Sequence, residues 1–147
     1  MKELQEKAIQ AHQSGLNCAQ AVLTTYCDEM NFDKNLATSV SCGFGGGMGR
    51  LQETCGAVTG AFMVLGIHTS TLYSDNQNRK EQSYLKVQQF AERFKTIYGT
   101  LDCKILLRCD LNTLEGQKYM KEHNLSANVC NKCIADSIGI IDELITG

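Results

Sequence analysis

A chain of 147 residues with 43% hydrophobic side chains is sized for one domain, able to bury roughly 70% of the surface its unfolded form exposes without covalent staples. Its 14 Lys and Arg against 16 Asp and Glu leave a net charge of -2, with no basic run to track a phosphate backbone, which argues against nucleic acid as a partner. The charged, periodic start MKELQEKAIQAHQ lacks the apolar stretch of a secretory signal, and the longest apolar run, CGAVTGAFMVLGI, is too short to cross a bilayer, so a cytoplasmic location is expected.

No proline, low-complexity linker or charge block marks a domain boundary, and helical periodicity runs the length of the chain. Leu4, Ala8 and Ala11 begin a first helix over 3–13 that closes at Gly15. Helices near 17–28 and 33–42 follow, then the glycine run GFGGGMG at 43–49. In the next helix, 53–68, Gly56 with Gly60 and Ala57 with Ala61 put small residues four apart, which lets two helix backbones approach closely. Helix 77–98 carries Tyr84, Val87, Ala91, Phe94 and Tyr98 on one stripe, widened by Phe90 and Ile97, and Gly99 stops it. Helices near 102–109 and 112–123 lead to the last, 128–146, where Cys130, Ile134, Ile138, Ile141 and Ile145 share one face and Asp136, Asp142 and Glu143 point away. Alternating strand patterns are absent. The expected fold is an all-α, single-domain helical bundle over 1–147.

Eight cysteines are the chemical anomaly. In a reducing compartment such a number points to metal binding or redox chemistry before it points to a disulfide framework, against the alternative that cysteine is simply a small buried hydrophobe. A helix start leaves amide N–H groups unpaired, and their field favours thiolate, the form that attacks disulfides and binds metals. Cysteines following a capping residue are therefore the candidates: Cys18 after Asn17, with Gln20 completing a capping box; Cys55 after Thr54; Cys103 after Asp102; and Cys130, two residues beyond Asn128. Cys27, Cys42, Cys109 and Cys133 read as packing or accessory positions. The CNKC at 130–133 also matches a redox pair or half a metal site, and with Cys103 and Cys109 it makes a pair of pairs for zinc or iron.

The glycine run admits two compatible readings. Gly45, Gly46 and Gly47 can aim successive N–H groups into a concavity that holds an anion beside Cys55, with Arg50 as a nearby cation, or they can mark a crossing too tight for side chains. His12, His68 and His123 share no spacing, so neither a histidine metal cluster nor a Cys–His dyad is legible, and they read as surface residues. Glu53 reads as a solvated charge beside Cys55.

Taken together, NCAQAV, GFGGGMGR, CGAVTGAFMVLG, YGTLDCKILL and CNKCI resemble the family described as putative redox-active protein, C_GCAxxG_C_C, over about residues 14 to 143. The resemblance places that family's four cysteines and its CGAxxG motif on Cys18, on Cys55 with Gly56, Ala57 and Gly60, on Cys103 and on Cys130, the same four selected by capping. Cys27, Cys42, Cys109 and Cys133 are extra to the pattern. The resemblance further implies electron-transfer surroundings, with a redox partner or a membrane transporter as the expected partner. No CxxCH sequence is present, so covalent haem is not expected, and the sequence names no other cofactor.

Three functions follow. In the first, Cys55 as thiolate attacks a disulfide or oxidised sulfur species and a second cysteine resolves the intermediate. In the second, Cys18, Cys55, Cys103 and Cys130 assemble a zinc, copper(I) or iron–sulfur site. In the third, the chain is a non-catalytic sensor or accessory module for a transporter. A homodimer is compatible with a broad apolar helical face, although no residue demands it.

Overall fold

The computed structural model describes residues 1–146, and within them the chain is all-α, without strands. The first pair of helices is α1 (Lys2–Gln13) and α2 (Cys18–Thr25), joined through Gly15 at φ +117°. Asn17 caps α2 in a full capping box: its side chain accepts from the Gln20 amide while the Gln20 side chain accepts from its own. The helix expected to run to 28 breaks at Tyr26, and α3 (Cys27–Met30) continues as a separate turn ending in left-handed Asn31. Asp33 caps α4 (Lys34–Ser41).

The glycine run folds into one 3-10 turn over Cys42–Phe44 and a short turn, α5 (Gly45–Met48), in which Gly46 and Gly47 are left-handed. Next, α6 (Gly56–Leu72) starts three residues later than expected. Residues 52–55 are instead drawn out alongside 101–103, with a lone bridge pairing Thr54 and Asp102 and the Cys55 amide donating to the Leu101 carbonyl at 2.7 Å. The remainder is α7 (Asn76–Tyr98), α8 (Cys103–Leu107), α9 (Leu114–Glu122), a π-helical turn over Ser126–Cys130, and α10 (Asn131–Thr146).

At the centre, α2 lies on α6, with α1, α7 and α10 around the pair and α4 covering α2. The small-residue spacing makes that approach possible: a Cβ on Gly60 would stand 2.8 Å from the Ala19 carbonyl oxygen, and one on Gly56 3.1 Å from the Ala19 nitrogen. Burial of α7 is narrower than its stripe suggested. Phe90 and Phe94 are fully buried, Phe90 edge-on to Phe62 and Phe94 tilted against Tyr98, while Tyr84 and Ile97 are exposed, being off the face of this long helix that meets α6 and α10. On α10, Ile134, Ile138 and Ile141 are buried as expected, but Asp136 turns partly inward, and its carboxylate accepts the Tyr98 hydroxyl at 2.5 Å.

A second, smaller apolar cluster, Cys103, Leu107 and Leu125 with Leu111, Met120, Val129 and Cys130 packed on it, lies under the segment from α8 to the π turn. Gln52, held at φ +55° and nearly buried, ties this lobe to the rest: its amide donates to the Cys109 carbonyl and accepts from the Leu111 amide, both at 2.8 Å.

Candidate functional site

Between the two apolar clusters is a cavity of about 660 Å³ whose wall includes five cysteines: Cys18, Cys55, Cys103, Cys130 and Cys133. The four cysteines expected to meet do line this space, joined by Cys133, expected as a packing or accessory position or as the second thiol of the CNKC pair. All eight cysteines are free thiols. Cys27 is buried among core side chains and donates to the Leu23 carbonyl, Cys42 is exposed, and neither these nor Cys109 line the cavity.

The cysteines reach the cavity by different local devices. Cys18 and Cys103 are the first residues of α2 and α8, behind the Asn17 and Asp102 caps. Cys55 is itself the N-cap of α6, in place of Thr54, whose backbone is occupied by the bridge to Asp102. Cys130 is not in a capped first turn. It ends the π turn, and Asn128 donates to the His123 carbonyl instead of capping.

Their electrostatics separate them. Cys55 is held below the usual thiol range, first by a hydrogen bond from the Cys133 thiol and then by the amides of Ala57 and Val58, which together outweigh burial. Cys133 is correspondingly pushed up as the donor of that bond and by its burial. Cys18 is raised, by its hydrogen bond with Cys130 and by burial, and burial takes Cys103 up to about 12. An amide end therefore favours thiolate at Cys55, while at Cys18 and Cys103 desolvation and neighbouring sulfurs outweigh it. Cys133 also lies beside the Tyr98 hydroxyl, which donates to the Asp136 carboxylate.

The glycines divide. Gly46, Gly47 and Arg50 line the cavity, whereas Gly45 lies against the α2 cap, where a Cβ would come within 2.7 Å of Asn17 Cβ. A Cβ on Gly47 would meet Cys103 Cβ and Gln52 Cα, both at 2.7 Å, so the tight crossing is present at these two positions. Arg50 and Lys121 are the cations of the wall, which contains no carboxylate, and neither forms a salt bridge among the described residues. Glu53 is exposed and joins the site through its backbone alone, its carbonyl accepting from the Cys103 amide.

One histidine corrects the sequence reading. His12 Nε2 stands 3.8 Å from Cys18 Sγ, and its Nδ1 is 2.7 Å from Asn131 Oδ1. The signal was available: a link of a few residues around Gly15 forces the last turn of α1 against the first turn of α2, so His12 and Cys18 had to be neighbours. Asn131 and Gln52 left no comparable trace. Among the described residues no three His, Cys, Asp or Glu side chains converge where one metal ion could be held, and Cys103, Cys109, Cys130 and Cys133 are not assembled as a set.

The family model for putative redox-active protein, C_GCAxxG_C_C, matches residues 16–144. The chain belongs to this family. The match spans all five cysteines of the cavity and begins after His12. No curated protein and no solved structure matches the chain.

Proposed function

We propose that this member of a redox-active family exchanges disulfides in the shared cavity, with Cys55 as the attacking thiolate and Cys133 as the resolving thiol. The observation that carries the reading is that Cys55, the N-cap of α6, lines the same cavity as Cys133, with the Cys133 thiol and the first amides of α6 holding it below the usual thiol range. A thiol that favours the attacking thiolate and shares its cavity is also placed to close the cycle. Cys55 thiolate attacks one sulfur of a substrate disulfide, whose other sulfur departs as thiolate. Cys133 then attacks the mixed disulfide, a Cys55–Cys133 disulfide forms, and the second substrate thiol leaves with the Cys133 proton. The substrate gains two electrons and the protein dithiol loses two, to be returned by an external dithiol or electron-donor protein. A largely apolar wall carrying Arg50 and Lys121 without a carboxylate suits small anionic disulfides.

Reduced protein treated with one equivalent of a dianionic aromatic disulfide, quenched with acid and mapped by mass spectrometry, should yield a Cys55–Cys133 disulfide. Its absence, or tightly bound zinc or iron at one per chain in the same sample, would replace this reading.

A further inference from the structure

Cys133 gives Cys55 its donor, but Cys18 is in the opposite condition: raised by Cys130 and by burial, it holds its proton near neutral pH and needs a base before it can attack. The cavity contains one suitable group. His12 enters from the last turn of α1, and its Nδ1 faces the Asn131 carbonyl oxygen at 2.7 Å, an acceptor that requires Nδ1 to carry the ring hydrogen. Nε2, 3.8 Å from Cys18 Sγ, is thereby left with a free lone pair aimed at the thiol. Asn131 is nearly buried, at 9% exposure, which fixes the orienting amide in place. We infer that Cys18, His12 and Asn131 form a second reactive centre in the cavity, in which His12 is the general base for Cys18 and Asn131 positions the ring.

The centre rests on the reading of the cavity as a disulfide-exchange site and extends it to a second thiol pair. Cys18 Sγ attacks a substrate disulfide as its proton passes to Nε2. The substrate S–S bond breaks, and the departing sulfur takes that proton back from His12. Cys130, which lines the same cavity as Cys18, attacks the mixed disulfide, and the remaining substrate thiol leaves with the Cys130 proton. Two electrons pass from the dithiol to the disulfide, leaving Cys18–Cys130 oxidised. Other titratable or charged groups facing the pair are Cys130, Cys133, Cys55 and Cys103, with Arg50 and Lys121 on the wall. None is a carboxylate, so no acidic side chain competes with His12 for the proton. His12 precedes the residues matched by the family, so the family pattern assigns it nothing.

The test is peptide-resolved alkylation of the reduced full-length protein by iodoacetamide between pH 5 and 10. In the unaltered protein the Cys18 rate should rise at lower pH than in a variant without the base and then flatten. His12→Gln should lower it about 100-fold at pH 7, the usual worth of a general base, and move its rise into the alkaline range, while the Cys55 rate stays within about twofold. Asn131→Ala should give a smaller loss with the same altered profile. An unchanged Cys18 profile in His12→Gln, or equal losses at Cys18 and Cys55, overturns the assignment. Should the variants not fold, the nitrogen-15 spectrum of His12 in the unaltered protein decides: the Nδ1–H tautomer is expected, and the Nε2–H tautomer refutes the base. A missing Cys55–Cys133 disulfide, by contrast, would defeat the first pair and leave the Cys18 pH profile in place.

Discussion

Replacing Cys133 by alanine isolates the interaction on which the Cys55 chemistry rests. The thiol donor to the Cys55 sulfur is lost, while the Ala57 and Val58 amides and the Tyr98–Asp136 hydrogen bond remain. A hydrogen bond to a charged group is worth about 1.5–3 kcal/mol, and 1.36 kcal/mol is a factor of ten, so Cys55 alkylation near neutral pH should slow by at least about tenfold. The fold should survive. Cys133 is 1% exposed, and removing one buried sulfur costs about 1–2 kcal/mol, a fraction of the stability of a domain this size. Alkylation rates of Cys55 between pH 5 and 10, with circular dichroism as the control for folding, give the answer. Cys133→Ser sharpens it, because a hydroxyl restores a donor but cannot close a disulfide: Cys55 reactivity should return in part and turnover should not. A folded Cys133→Ala protein with undiminished Cys55 reactivity would show that the helix start alone ionises the sulfur and that Cys133 has no part in it.

Gly47→Ala combines a left-handed φ of +69° with contacts at 2.7 Å to Cys103 Cβ and Gln52 Cα, so it should lose about 3 kcal/mol and roughly 10 °C of Tm, whereas Gly66→Ala in α6, with open space around it, should gain about 0.5–1 kcal/mol; a thermal melt of each checks both. Arg50→Glu with Lys121→Glu should slow reaction with a dianionic aromatic disulfide about tenfold at low salt and leave a neutral dipyridyl disulfide unaffected; equal rates for both probes would remove the anion preference. Cys103, at about 12 in the folded protein against 9.0 unfolded, stabilises the fold below pH 9, and that contribution is lost as pH rises from 9 to 12. Urea unfolding across that range should show stability falling with pH, and Cys103→Ser should make the fall shallower.

Much of the fold was legible because its causes are local. Asn17 and Asp102 act as the caps their sequence context predicts, and Gly56 and Gly60 give the close approach of α2 to α6 that their spacing allows. What escaped was set by pairings distant in the chain. Nothing local to Thr54 or Gln52 announces the bridge to Asp102 or the hydrogen bonds to Cys109 and Leu111, and these hold residues 52–55 out of the helix and make Cys55 its cap. The π turn before Asn131 likewise removes Cys130 from the capped position that Asn128 suggested. The capping argument pointed to four of the five residues that line the cavity, although only Cys18 and Cys103 stand behind their expected caps, and it did not give their state, which depends on burial and on neighbouring sulfurs. The pairing of Cys55 with Cys133 joins residues far apart in the chain.

The lobe from α8 to the π turn has an apolar cluster of its own and meets the larger core across the cavity, with Gln52 and the Thr54–Asp102 bridge as ties. Leu106 of α8 and Val129 of the π turn also reach from this lobe onto the main core. Substitutions within Leu107, Met120 or Leu125 would alter which guests the opening admits, while the helices that keep the molecule folded go untouched. The residues that shape the opening and those that fill the main core are thus largely different sets, and they meet at Leu106 and Val129.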